Sequence, residues 1–127
     1  MQCGVFDGVD AATAKRVKRG AYPIAYRLDL HGMHRSQAYD ALREALETAY
    51  HGGERCLLVI TGKGREGAGV LREELPRWLD DPAVSRYVLA YDVAQVKHGG
   101  QGAFYVLVKR KRALGKGAEE RNDDWRG

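Results

Sequence analysis

Cys56-Leu57-Leu58-Val59-Ile60-Thr61 is the stretch that decides the fold. It is apolar at both alternate sets of positions, as a central strand covered on both faces must be. Gly62-Lys63-Gly64-Arg65-Glu66-Gly67-Ala68-Gly69 follows as a glycine-rich loop. A helix then begins near Val70, with Leu71, Leu75, Trp78 and Leu79 at helical spacing. Pro76 is expected to kink or break it, because proline lacks the N–H and clashes with the preceding turn. Asp81-Pro82 ends the segment.

Toward the N-terminus, residues 24–31 read as a first strand. Tyr26, Leu28 and Leu30 alternate with Arg27, Asp29 and His31, so Asp29 and His31 are expected on one face. A helix follows from about Arg35 to Tyr50. Ala38, Leu42, Ala45, Leu46 and Ala49 form its apolar stripe, and His51-Gly52-Gly53 stops it. Toward the C-terminus, a third strand spans about Arg86 to Val93. A loop holds Lys97-His98-Gly99-Gly100-Gln101-Gly102, and a fourth strand runs from Ala103 to about Lys109. The order is βαβαββ. Two strand–helix–strand units favour parallel crossovers, and the close third and fourth strands favour antiparallel pairing. The expected fold is an α/β (α+β) sandwich, a four-stranded mixed sheet covered by two helices.

The 127 residues and 14.1 kDa suit one domain, read as residues 24–110 between a basic arm (1–23) and a tail (111–127). Within the arm, Asp10 can cap a short helix that Gly20 stops. That helix reads either as a solvated element or as a functional arm. The charged, glycine-rich composition from Arg112 predicts disorder. The formal charge of +4 is unevenly spread. Lysines and arginines number five against two acids in residues 1–27, nine against eleven in 28–108, and seven against four in 109–127. The core is slightly acidic, and the basic excess lies on the flanks, where it suits sequence-independent contact with an anionic polymer.

No apolar run approaches the roughly 20 residues of a spanning helix, and no secretory h-region opens the chain. Cys3 and Cys56 form no disulfide framework or CxxC pair, which makes a reducing, cytoplasmic setting the default. Cysteines and histidines lack structural-zinc spacing. Tyr26, Tyr39, Tyr87, Tyr91, Phe104 and Tyr105 read mainly as core, with room among them for a residue that stacks on a base.

Three polar clusters fall at strand ends: Asp29-Leu30-His31-Gly32, Thr61-Gly62-Lys63-Gly64, and His98-Gly99-Gly100-Gln101-Gly102. Ligands of open α/β sheets bind at the carboxyl ends of parallel strands, so the first two should converge. The third joins them if its loop returns to that edge. Glycines let backbone N–H groups approach a phosphate, Lys63 offers a point charge, and His31 can move a proton near neutral pH. Gly62-Lys63-Gly64 is not a nucleotidase phosphate loop, whose GxxxxGK[ST] spacing is absent. His34 reads as a helix-start residue and His51 as a helix-end cation.

Together the three clusters, with Leu28 before the first and Ala103-Phe104-Tyr105-Val106-Leu107-Val108 after the third, resemble the Smr (small MutS-related) domain family in its stand-alone bacterial form. The resemblance covers about Ile24 to Arg110. It implies a fold like the C-terminal domain of translation initiation factor three. It also implies nucleic-acid binding and, in several members, endonuclease activity on DNA or RNA. Asp29 and His31 would inherit the cleavage role. Gly32, Thr61, Gly62, Lys63, Gly64, His98, Gly99 and Gly100 would bind substrate. His34 departs from the family's usual Thr or Ser cap. The implied partners are DNA or RNA, within a ribosomal or DNA-repair complex and without a membrane. No bound metal is assigned. Mg or Mn remains an open route, although Asp29 is the only carboxylate in the clusters, which is thin for a two-metal site. The alternative is a binding module without catalysis.

Overall fold

The computed structural model describes residues 9–62 and 68–111. Cys3, Lys63, Gly64, the first part of the arm and the tail from Arg112 lie outside the described residues. The chain builds α1 (Ala11–Lys18), β1 (Tyr26–Asp29), α2 (Arg35–Gly52), β2 (Cys56–Ile60), α3 (Ala68–Asp80), α4 (Pro82–Ser85), β3 (Val88–Val93) and β4 (Ala103–Val108). The strands form one sheet in the order β1-β2-β4-β3. β1 and β2 are parallel, and β4 is antiparallel to both β2 and β3. The expected mixed sheet is present, with β4 inserted between β2 and β3. That insertion makes β2 and β4 the two central strands, which is why their residues are apolar on both faces.

The pleat divides each central strand between two cores. Leu57 and Val59 of β2, with Phe104, Val106 and Val108 of β4, face α2 and α3. Ala38, Leu42, Leu46 and Ala49 of α2 and Leu71, Leu75 and Leu79 of α3 cover them. Cys56 and Leu58, with Ala103, Tyr105 and Leu107, face the other way. That second face is closed by α1, whose Val17 is 1% exposed, and by Tyr22 and Ile24 just after it. The basic helix is therefore docked rather than solvated along its whole length. Asp10 caps it by accepting the Thr13 N–H at 2.7 Å, and hydrogen bonding from the Thr13 side chain, then from its backbone, holds the Asp10 carboxyl below its usual pKa. Burial pushes the Cys56 thiol up to about 11, so it is protonated and inert at neutral pH.

Pro76 does not break α3, which continues to Asp80. Each buried leucine contributes about 1.5–3 kcal/mol. Leu71, Leu75 and Leu79 together outweigh the roughly 3 kcal/mol that an internal proline costs. Asp81 then starts α4 by accepting the Ala83 N–H at 3.0 Å. β1 is shorter than the alternation predicts and ends at Asp29. His31 lies in a turn, so the pleat does not align it with Asp29. At the start of α2, the missing Thr or Ser cap is offset by Gln37, whose Oε1 accepts the His34 N–H at 3.4 Å.

Gly20 ends α1 at φ +72°, and a Cβ built there would lie 2.6 Å from the Tyr105 hydroxyl. Both the left-handed backbone and the close approach exclude a side chain. Gly20→Ala is expected to cost about 1–3 kcal/mol, the strain of a non-glycine residue in this conformation. Urea unfolding measures it, and an unchanged midpoint would contradict the docking of α1 against Tyr105.

Candidate functional site

The register places the described residues of all three clusters on one sheet edge. Asp29 pairs with Ile60, and Ile60 pairs with Ala103. The carboxyl ends of β1 and β2 thus meet the amino end of β4. The parallel ladder runs one residue further, where the Leu30 N–H donates to the Ile60 carbonyl at 2.7 Å. Beyond it, the Thr61 and Gly62 N–H groups both donate to the Gly102 carbonyl, at 2.8 and 3.1 Å. The third cluster does return to the edge, because its last glycine is bonded to the start of the second.

Asp29 Oδ1 accepts the backbone N–H of His31 at 3.0 Å. This Asx turn ends the strand and presents an exposed imidazole. Gly32 completes the turn at φ +86°, with open space where a Cβ would stand. Asp29 is therefore tied to the His31 backbone, and both side chains remain exposed. Thr61 is fully buried, and its hydroxyl lies 3.0 Å from the Gly62 carbonyl and 3.4 Å from that of Gly102. Its side chain clamps the loop start and leaves Gly62, half-buried at φ +92°, at the rim. His98 ends one short 3₁₀ turn, Val96–His98, Gly100 starts another, Gly100–Gly102, and Gly99 lies between them.

His98 and Arg27 add a feature that motif reading did not resolve. Arg27, Leu58, Tyr105 and Asp92 form one row across the sheet on the α1 face, one row inward from Asp29, Ile60 and Ala103. The His98 Nδ1 atom lies 2.6 Å from the Tyr105 hydroxyl. That hydroxyl also accepts the Gln95 N–H at 3.0 Å, and the Gln95 amide donates to the Lys18 carbonyl of α1 at 2.6 Å. Burial, then the positive charges of Lys97 and Arg27, lower the His98 pKa. Burial raises that of Tyr105. Period-two alternation in β1 puts Arg27 on the face of Asp29, so that signal was available. Gln95 carries no sequence signal. Of the aromatic residues, Tyr26 is half exposed on edge strand β1, while Tyr87, Tyr91, Phe104 and Tyr105 are buried. No group of three His, Cys, Asp or Glu side chains among the described residues is placed to hold a metal ion.

The family model of the Smr domain matches residues 28–109, a span that begins one residue before Asp29 and ends one after β4. The chain belongs to the Smr domain family. Within that family it is 33% identical over 102 residues to the ribosome rescue factor SmrB of Shewanella putrefaciens. It is 32% identical over the same length to that of Shewanella oneidensis. Both matches take in 80% of this chain and 54% of the relative, so the chain spans about half the length of these relatives. Among solved structures it is similar to YdaL, a stand-alone small MutS-related protein from Escherichia coli. The TM-score is 0.73 at 27% identity, covering 87% of this chain and 85% of the other. The Smr domain of Thermus thermophilus MutS2 follows at a TM-score of 0.59 and 26% identity, covering 67% of this chain and 99% of that domain. The larger coverage against YdaL extends beyond the 82 residues of the family match. Among the described residues of this Smr protein, no helix is long and apolar enough to cross a membrane.

Proposed function

We propose that this Smr protein binds RNA at the shared sheet edge and cleaves a phosphodiester bond there, in the cytoplasm and in a ribosomal setting. The observation that carries the reading is the register of Asp29 with Ile60 and of Ile60 with Ala103, which puts Asp29-Leu30-His31-Gly32, Thr61-Gly62 and the glycines before β4 on one edge. The name borne by the SmrB relatives favours RNA over DNA as the polymer. In this mechanism His31 accepts the proton of a ribose 2′-hydroxyl as its oxygen attacks phosphorus. The bond from phosphorus to the 5′ oxygen breaks, and that oxygen takes a proton from solvent. The products are a 2′,3′-cyclic phosphate and a 5′-hydroxyl. Asp29 positions His31 through the turn. Lys63 and the amides of Gly62 and Gly64 stabilise charge on the phosphate, and His98, Gly99 and Gly100 contact it.

DNA lacks the 2′-hydroxyl, so nicking it would require water as the nucleophile, the chemistry that Mg or Mn serves. Two imidazoles and one carboxylate suit the histidine route better. The basic residues Lys15, Arg16 and Arg19 of the α1 segment add backbone affinity without base reading.

The test is incubation of the protein with labelled RNA and DNA of one sequence across a salt series. RNA is expected to bind with an affinity that falls steeply as salt rises, because neutralised phosphates release counterions. RNA is also expected to be cut in preference to DNA. Salt-independent binding would remove the phosphate reading. Tight binding of RNA with no cut would reduce the protein to a binding module.

A further inference from the structure

The Tyr105 hydroxyl has one hydrogen to give and two bonds to satisfy. Tyr105 is 1% exposed. The Gln95 backbone N–H can only donate, so the hydroxyl accepts there, at 3.0 Å. The phenolic hydrogen is then left for His98 Nδ1, 2.6 Å away. A nitrogen that accepts a hydrogen bond carries no proton, so the neutral ring bears its hydrogen on Nε2. Charging the ring would put a proton on Nδ1, turn it into a donor, and strand the phenolic hydrogen in a buried place. The charged or titratable groups that face the ring are Lys97 from its own turn, Arg27 from β1 and Tyr105 from β4. Two of the three are cations, and both oppose a second positive charge.

We propose that His98 is a fixed neutral hydrogen-bond donor, presenting Nε2–H to a non-bridging oxygen of the bound phosphodiester, and that Tyr105 is the positioning residue that sets this tautomer. The inference rests on the reading of the edge as a nucleic-acid site and narrows it. The two histidines have separate tasks. His31 moves a proton, while His98 holds one and donates a hydrogen bond. A route in which His98 delivers a proton to the leaving oxygen as an imidazolium acid is disfavoured by its two cationic neighbours. α1 shares in the arrangement, since Gln95, whose N–H fixes the hydroxyl, is itself bonded to the Lys18 carbonyl.

Histidine-labelled full-length protein, studied by long-range proton–nitrogen NMR, tests the tautomer without any substrate. His98 is expected with its hydrogen on Nε2 at neutral pH, and to become charged only below the ordinary histidine value of 6.5. Tyr105→Phe keeps the ring and its burial but removes the donor. It should mix the tautomers and raise the pKa. A wild-type ring protonated on Nδ1, or a Tyr105→Phe spectrum unchanged in tautomer and pKa, overturns the role of Tyr105. The wild-type spectrum decides the point even if that variant folds poorly. A 2′-O-methyl RNA oligonucleotide, which lacks the attacking hydroxyl, tests the contact. Binding should shift the His98 Nε2 resonance. His98→Ala should weaken binding roughly fivefold, the worth of one hydrogen bond. His98→Gln, which keeps an N–H near the Nε2 position, should restore most of it. Binding that leaves His98 unmoved overturns the donor role. If the oligonucleotide does not bind at all, the nucleic-acid reading itself fails and the donor role falls with it, while the tautomer result still judges Tyr105.

Discussion

His31→Ala is expected to slow RNA cleavage by orders of magnitude while leaving binding and stability close to those of the wild type. The expectation follows from how the turn is built. What holds residue 31 in place is its backbone N–H bonded to Asp29 Oδ1 at 3.0 Å, followed by Gly32 in a left-handed conformation. Neither feature uses the imidazole. The side chain is exposed, so its removal leaves no cavity. Stability should therefore stay within about 0.5 kcal/mol, as for surface changes in general. The rate should fall by roughly 10²–10⁴-fold, the usual contribution of a positioned acid–base group. Single-turnover cleavage at saturating protein reads the chemical step apart from binding, and thermal melting reads the fold. Undiminished cutting by this variant would remove His31 from the mechanism. A large fall in melting midpoint would show that the imidazole supports structure instead.

Val17→Asp is expected to unfold much of the population at moderate temperature, because it places a carboxylate between α1 and the sheet. Val17 belongs to the cluster with Cys56, Leu58, Ala90, Tyr105 and Leu107, whose side chains are apolar apart from the Cys56 thiol and the Tyr105 hydroxyl. That hydroxyl is already committed to Gln95 and His98. An unpaired buried carboxylate either stays charged at high cost or takes up a proton. The loss should reach about 3 kcal/mol or more, a large share of the 5–15 kcal/mol that holds a typical domain folded. The melting midpoint should drop by roughly 10 °C. Lys15→Asp, on the exposed side of the same helix, should shift stability by no more than about 0.5 kcal/mol and serves as the control. Equal effects from the two substitutions would mean that α1 does not dock through Val17. A strong effect from Val17 alone would make α1 part of the folded unit, so that trimming residues 1–20 would damage the second core as well as remove positive charge.

The sheet and its candidate edge were legible because they rest on patterns that a strand cannot hide. The doubly apolar Cys56–Ile60 run placed β2 at the centre, and the glycine clusters marked the strand ends. The cover on the second face was less legible. One buried residue, Val17, docks α1, and a single valine among Lys15, Arg16, Lys18 and Arg19 does not tell which surface it packs against. The persistence of α3 through Pro76 depends on tertiary burial of three leucines, which local propensity does not weigh. His31 was expected from alternation to share a face with Asp29, but the Asx turn begins one residue earlier than a pleat-based count assumes. The Gln95–Tyr105–His98 chain was out of reach. It joins β4 to the first of the two 3₁₀ turns, and its bonds are set by which backbone N–H meets a buried phenol.

The central proposal is that one sheet edge, built from three strand-end segments, breaks a phosphodiester bond. Its most direct test is end-group analysis of RNA fragments made by the full-length protein in the presence of a chelator, beside His31→Ala. The wild type should yield fragments ending in a 2′,3′-cyclic phosphate and a 5′-hydroxyl, and the variant should yield roughly 10²–10⁴-fold fewer in the same time. RNA left intact by wild-type protein that has bound it to saturation would contradict the account.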